Sequence, residues 1–288
     1  MHYASYLRFF LLIGICMYGI TPGLHSQVFE NDAGQREKLF IYKIKQIDEF
    51  FERFNNDTSS FIRRLYKARG VKFKIDRPTL IKSLFNYETQ SWPNGAIDSF
   101  VKKAMQVQMP SAGNYYGDDW FAEVICRFSY NNNVIEIPVI LRTDTDRYKR
   151  SKWIITGVKQ MLFRSATALP AKNRTTVPLK FISPVSHGND FAALEKTFDD
   201  KQNLSAYFDQ SFFQKNNTTG FYNAILKNQI KFLSVKEIRY HFLQVNNYIF
   251  TVQHFERNSL NAGWLINTLT TASAADKQHF RKELLGAQ

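Results

Sequence analysis

The side chains able to do chemistry are few and scattered. His241 and His254 sit on two strand-like segments, IRYHFLQV and YIFTVQHFER, with Glu256 close by. On one face of a hairpin the two imidazoles would come within reach of a shared metal ion. A zinc site needs three or four ligands, so no metal and no other cofactor is assigned. His187 and Asp190, in HGND, read as a connecting segment that ends in a helix N-cap. Cys126 lies in the apolar run WFAEVICRF, where a thiol behaves as a small buried hydrophobe. Gly-rich phosphate loops, paired-cysteine zinc spacings, HExxH and GxSxG do not occur. No catalytic residue is assigned, and the reading leans away from an enzyme.

The elements that would position these residues come in two rounds. In the first, apolar residues recur at helical spacing from Gln35 to Phe54, then in shorter helical segments at Thr58–Ala68, Arg77–Phe85 and Gly95–Val107. The period then switches to two: Trp120–Tyr130 and Val134–Arg142 form a hairpin around Asn132-Asn133, and Lys152–Phe163 adds a third strand. The second round has helical segments at Asp190–Asp199, Asn203–Phe213 and Thr219–Leu226. Strands follow at Ile230–Val245, Tyr248–Arg257 and Gly263–Thr270, and a helix at Ala274–Leu285. IRYHFLQVNNYIFTVQHFERN repeats the design of EVICRFSYNNNVIEIPVILRT, each turning on Asn-Asn, a residue type that tolerates positive φ. KWIITGV around Trp153 and GWLINTL around Trp264 also correspond. Helices followed by an antiparallel meander, twice, predict an α+β protein. The expected division is a first domain at 27–163, a proline-marked linker at 164–188 and a shorter second domain at 189–288.

This pattern, with FFERFNND at Phe50–Asp57 closing the first helix, resembles the nuclear-transport-factor-2-like fold in exported proteins of the Bacteroidetes type. That fold, also called a cystatin-like cone, wraps a curved sheet around a long N-terminal helix. The resemblance implies two tandem cone-shaped domains, each with N-terminal helices packed on a curved antiparallel sheet. Ketosteroid isomerase and polyketide cyclases share the fold and work with an Asp base and a Tyr or Asp donor inside the cone. Tyr115, Tyr116, Asp118 and Asp119 would lie near such a mouth, but Asp-Asp after Gly117 reads as a solvated turn.

A two-residue turn at Asn132-Asn133 sets Val124 opposite Leu141. One face of that hairpin then carries Val124, Cys126, Phe128, Tyr130, Ile135, Ile137, Val139 and Leu141, a core face. The other carries Glu123, Arg127, Glu136 and Arg142 and reads as a wet side. A two-residue turn at Asn246-Asn247 sets Tyr240 opposite Gln253. Tyr240, Gln244, Thr251 and Gln253 then share the inner face and form the candidate ligand pocket. Leu243, Val245, Tyr248, Phe250 and Val252 form an apolar patch on the outer face, a candidate interface with the first domain or with a second copy of the chain. A slip of one residue would exchange the two sets.

The N-terminus reads as a signal peptide at 1–26. A basic start is followed by the apolar run Phe9–Ile20, a Thr21-Pro22-Gly23 break and small Ser26 before Gln27. The run spans roughly 18 Å as a helix, short of the roughly 20 residues a bilayer core requires. Ile15 before Cys16 argues against a lipoprotein. Removal of the segment leaves Cys126 alone in an oxidising compartment, so the fold rests on its cores, for which 26 Phe residues are ample material. A formal net charge of +13 favours anionic partners, and no nucleic-acid module accompanies it. The expectation is a non-enzymatic binding or scaffold protein of the periplasm or envelope, with an anionic or protein partner and a possible homodimer. Membrane contact would be peripheral at most. The alternative is a small-molecule carrier, or an isomerase- or cyclase-like enzyme, using the second domain.

Overall fold

The computed structural model describes residues 47–57, 76–110, 119–145, 151–159, 180–209, 216–259 and 261–285. The signal segment, the helical stretches before Ile47 and at Thr58–Ala68, most of the linker, and Tyr115, Tyr116 and Asp118 fall outside them. The described residues belong to one compact unit, Ile44–Gln288.

The class is α+β. Helices α1 (Ile47–Asn55), α2 (Arg77–Ser83) and α3 (Ala96–Ala104) precede strands β1 (Trp120–Tyr130), β2 (Asn133–Thr145) and β3 (Ser151–Val158). Helices α4 (Leu194–Asp199) and α5 (Asn216–Leu226), with 3-10 turns at Pro184–Asn189 and Leu204–Tyr207, precede β4 (Ile230–Phe242), β5 (Tyr248–Phe255), β6 (Gly263–Thr271) and helix α6 (Ala274–Leu284). The strands of both rounds lie in one open antiparallel sheet of order β3-β2-β1-β4-β5-β6. Its seam is the β1–β4 ladder, from Trp120 opposite Phe242 to Tyr130 opposite Ile230. Two shifts along that ladder make Lys236 and Leu233 extra residues on β4.

One face of the sheet carries the main core. Phe50, Phe51 and Phe54 recur at helical spacing on α1 and are all buried. They meet Trp120, Phe242 and Phe250 in parallel and perpendicular ring pairs: Phe50 on Phe242 at 5.8 Å, Phe54 on Phe250 at 6.4 Å, Trp120 on Phe242 at 5.8 Å. Phe128 gathers Phe198, Phe221 and Phe232 at the other end. Arg77 ties the helices together by donating to the carbonyls of Phe54, Ala104, Met105 and Val107 where α1 and α3 end, which suits a cation at helix C-termini.

The opposite, outer face is covered in part by α6. Ser273 and Asp276 close a capping box at its start. Its side chains seat on Phe121, Ile140, Leu243 and Ile249, and Lys277 donates to the carbonyls of Leu243 and Val245 at 2.6 and 2.7 Å. A Cβ on Gly157 would stand 3.0 Å from Leu285 Cα, so the helix end rests directly on the β3 backbone. The side expected to be wet is therefore dry near the start of β1, where Glu123 is only 4% exposed. Both sheet edges carry short backbone pairings, β3 with Ile182 and Phe208 and β6 with Phe85, a common guard against edge-to-edge association. Among the described residues, no helix is long and apolar enough to cross a membrane.

Candidate functional site

The registers decide which chemical groups meet. In the first hairpin the turn residues are Asn131 and Asn132, at φ 48° and 62°, as a type I′ turn requires. Val124 therefore faces Val139, not Leu141. Moving the turn by one position shifts the pairing by two, so the core face is the expected one. In the second hairpin the Asn246-Asn247 turn sits where expected, closed by Tyr248 N–H donating to Val245 O at 3.1 Å. The ladder, however, begins only at Phe242 opposite Phe250. The β4 arm carries one more residue than the β5 arm between turn and ladder. Leu243 is held to β1 by donating its N–H to Asp119 O at 2.8 Å, and Tyr240 faces Val252 instead of Gln253.

That single residue separates the candidate pocket set. Tyr240 stays on the core face, buried, with its ring 5.1 Å from Trp264. Thr251 and Gln253 pair with His241 and Arg239 on the outer face. Gln244 lies in the connection, and its Oε1 is buried with no hydrogen-bond partner. The candidate patch is redistributed too. Tyr248, Phe250 and Val252 belong to the main core, with buried Val245, while Leu243 lies under α6. His241 is on the outer face and His254, opposite Trp264, on the other, so the two histidines do not share a metal. Among the described residues, no group of three or more His, Cys, Asp or Glu side chains is placed to hold one. Cys126 is buried, and burial pushes its thiol pKa up.

Under α6 the outer face holds a polar chain. Thr251 Oγ1 is 3.2 Å from His241 Nδ1, His241 Nε2 is 2.8 Å from Glu123 Oε2, and Lys159 Nζ donates to Glu123 Oε1 at 2.9 Å. Burial alone would raise the Glu123 pKa, but the hydrogen bonds and charges of His241 and Lys159 bring it down to about 2. Hydroxyl, imidazole and carboxylate stand in the order used for acyl transfer. Phe280 packs against the imidazole at 5.5 Å, and His241 and Glu123 are both buried. The chain satisfies a buried acid and holds the strands in register.

The open site lies where β4 and β5 part. Past Arg239 and Gln253, β4 continues along β1 while β5 remains with β6. The gap is a cleft of about 480 Å³ lined by Lys236, Glu237, Gln253, His254, Glu256 and, from the helical layer, Asp190. Glu237 binds Arg239 at 2.7 and 3.0 Å and accepts from Gln253 Nε2 at 2.7 Å. The hydrogen bonds from Arg239 hold its carboxyl below the usual range. With Glu237 paired to Arg239, the wall is polar and mixed in charge, suited to holding a polar ligand.

No family model matches the chain, and neither a curated protein nor a solved structure matches it. Of the candidate pocket residues, Gln253 alone lines the cleft. Glu123, Lys159 and Asp190 were missed as partners. A lone Glu inside WFAEVIC was the available signal, since an acid in an apolar strand needs a counter-charge once buried.

Proposed function

We propose that the chain is an exported, non-enzymatic binding protein of the bacterial envelope, built of two related cone-like units whose strands join at β1 and β4. One observation carries this reading: the space where an enzyme of the resembled fold would work is filled by stacked rings. Phe242 lies 5.0 Å from Phe250 and 5.8 Å from both Phe50 and Trp120. Beyond α6 the outer face is open. There Arg127 and Lys236 flank Glu136, their shared acid, with exposed Lys231, Val134 and Leu233 around them. A basic surface with apolar flanks suits an acidic protein partner or another anionic ligand.

The test is mass spectrometry of what co-purifies with the tagged chain from its native envelope, for the parent and for Arg127→Glu/Lys236→Glu. The reading expects a protein or anionic partner held by the parent and lost from the double variant. A metabolite bound in stoichiometric amount and kept by the variant would overturn it. A small-molecule carrier or an isomerase- or cyclase-like enzyme is the second reading, favoured by the 480 Å³ cleft. It requires that the metabolite be lost on Gln253→Ala.

A further inference from the structure

A second groove, of about 400 Å³, is walled by Lys82, Tyr87, Gln90, Trp92, Asn94 and Asp98. The loop that carries it is rigidly built. Fully buried Asn86 donates its backbone N–H to Ile266 O at 3.0 Å and its side-chain amide to Asn267 Oδ1 at 2.9 Å, and accepts from Arg257 at 3.0 Å. Gln90 Nε2 donates to Asn267 Oδ1 at 3.0 Å. The Trp92 indole N–H ends on Asn86 O at 2.9 Å, and its ring stands at 90° to Phe85, 5.0 Å away.

Tyr87 is half exposed, as few large aromatics among the described residues are. Its hydroxyl is turned back to donate to Lys82 O at 3.1 Å, and its backbone N–H donates to Asn261 Oδ1 at 3.0 Å. An exposed tyrosine ordinarily sends its polar end to water. Here that end is tied down, and the ring is what the solvent meets. Across the groove Lys82 and Asp98 pair at 2.6 Å while remaining 47% and 71% exposed, so each keeps hydrogen-bonding capacity.

A flat ring held open, planar amides, and an exposed but mutually neutralised ion pair fit one ligand class well. A pyranose offers an apolar C–H face to an aromatic ring. Each of its hydroxyls donates and accepts, and so can bridge an ammonium and a carboxylate. A phosphate would meet the Asp98 carboxylate, and a lipid chain would meet the exposed Lys82–Asp98 ion pair beside the apolar Tyr87, Trp92, Pro93 and Ile97. We propose that this groove is a binding site for a neutral saccharide, separate from the cleft between β4 and β5.

The test is affinity electrophoresis of the purified chain through gels containing α-glucan, β-glucan, mannan, galactan or chondroitin sulfate. At least one neutral polysaccharide is expected to retard the chain. Tyr87→Ala and Asp98→Asn should each weaken the retardation at least tenfold, with unchanged circular dichroism. Lys196→Ala, at an exposed position on α4 that lines neither groove, should bind as the parent does. Retardation by chondroitin sulfate alone would mark general charge attraction and overturn the proposal. So would retardation by none of the gels, or binding that survives both Tyr87→Ala and Asp98→Asn.

Discussion

The β1–β2 hairpin turns through Asn131 and Asn132, and its ladder starts at once with Tyr130 opposite Asn133. The β4–β5 hairpin also turns on paired asparagines, with Asn247 at φ 66°. Its ladder starts further back, after an arm that is one residue longer on the β4 side. Strand side chains alternate with a period of two, so a two-residue displacement leaves each face intact whereas one residue exchanges the faces. In the second hairpin the longer arm is held in place from outside: Leu243 bonds to Asp119 of the β1 approach, and Lys277 of α6 caps the carbonyls of Leu243 and Val245. The turns differ as well, since both central asparagines of the first lie at positive φ but only Asn247 of the second does, and in the second the neighbours hold the longer arm.

Deleting Gln244 tests this difference most directly, because it makes the two arms equal and brings the turn's own register into line with the ladder at Phe242 opposite Phe250. Phe250 and Val252 then stay inward, and a buried amide oxygen without a partner is removed. Urea unfolding should stay cooperative, with stability changed by no more than roughly 1–3 kcal/mol; loss of cooperative unfolding would show that the longer arm is itself required.

The largest loss of stability is expected along β5 itself. Phe250→Ala should cost about 3–5 kcal/mol, as large core truncations do. Thr251→Val, which loses a single contact to His241, should cost about 1 kcal/mol. Denaturant midpoints of the two variants check this, and the opposite order would restore the unshifted register.

A third effect is pH dependence on the outer face. The Glu123 carboxyl is held at about 2 against an ordinary value of 4.5, so in the folded state it binds its proton less readily than in the unfolded chain. Its contribution is complete above about pH 5 and is lost as pH falls toward 2, amounting to about 2–3 kcal/mol. Glu123→Gln should flatten the acid limb of a stability–pH curve measured by thermal unfolding. An unchanged limb would remove Glu123 from the account.

The smallest effects belong to the turns. Asn132→Ala and Asn247→Ala each replace a residue type that tolerates left-handed φ with one that does not, and should cost about 1 kcal/mol. Asn132→Gly should be neutral or stabilising. Urea unfolding checks both, and an Asn132→Ala variant as stable as the parent would remove the left-handed turn residue from the account.

Much of the fold was legible because it depends on short-range periodicity. Alternation along WFAEVICRFSY and NVIEIPVILR marks the first hairpin and its core face whatever the turn position. Cys126 reads as buried from its neighbours alone. The spacing of Phe50, Phe51 and Phe54 gives α1 its apolar stripe. Less of the candidate sites was legible. Thr251 and Gln253 were on the wrong face by one residue. The partners of Glu123 are His241 on β4 and Lys159 just past β3, both remote in sequence. The groove at Tyr87 and Trp92 carries no periodic signal, because it is made by a loop whose hydrogen bonds run to Asn261 and Asn267.

The sequence by itself determined the α+β class, the two rounds of helix and meander, the asparagine turns and the inward face of the first hairpin. All of these follow from backbone preferences and side-chain period within a few residues. Only the tertiary structure decided that β1 and β4 join the meanders into one sheet, that α6 covers part of the outer face, and that the second hairpin is offset by one residue. Those outcomes depend on which surfaces meet across more than a hundred residues of chain, where unpaired strand edges and exposed apolar faces have several ways to be satisfied and packing selects one.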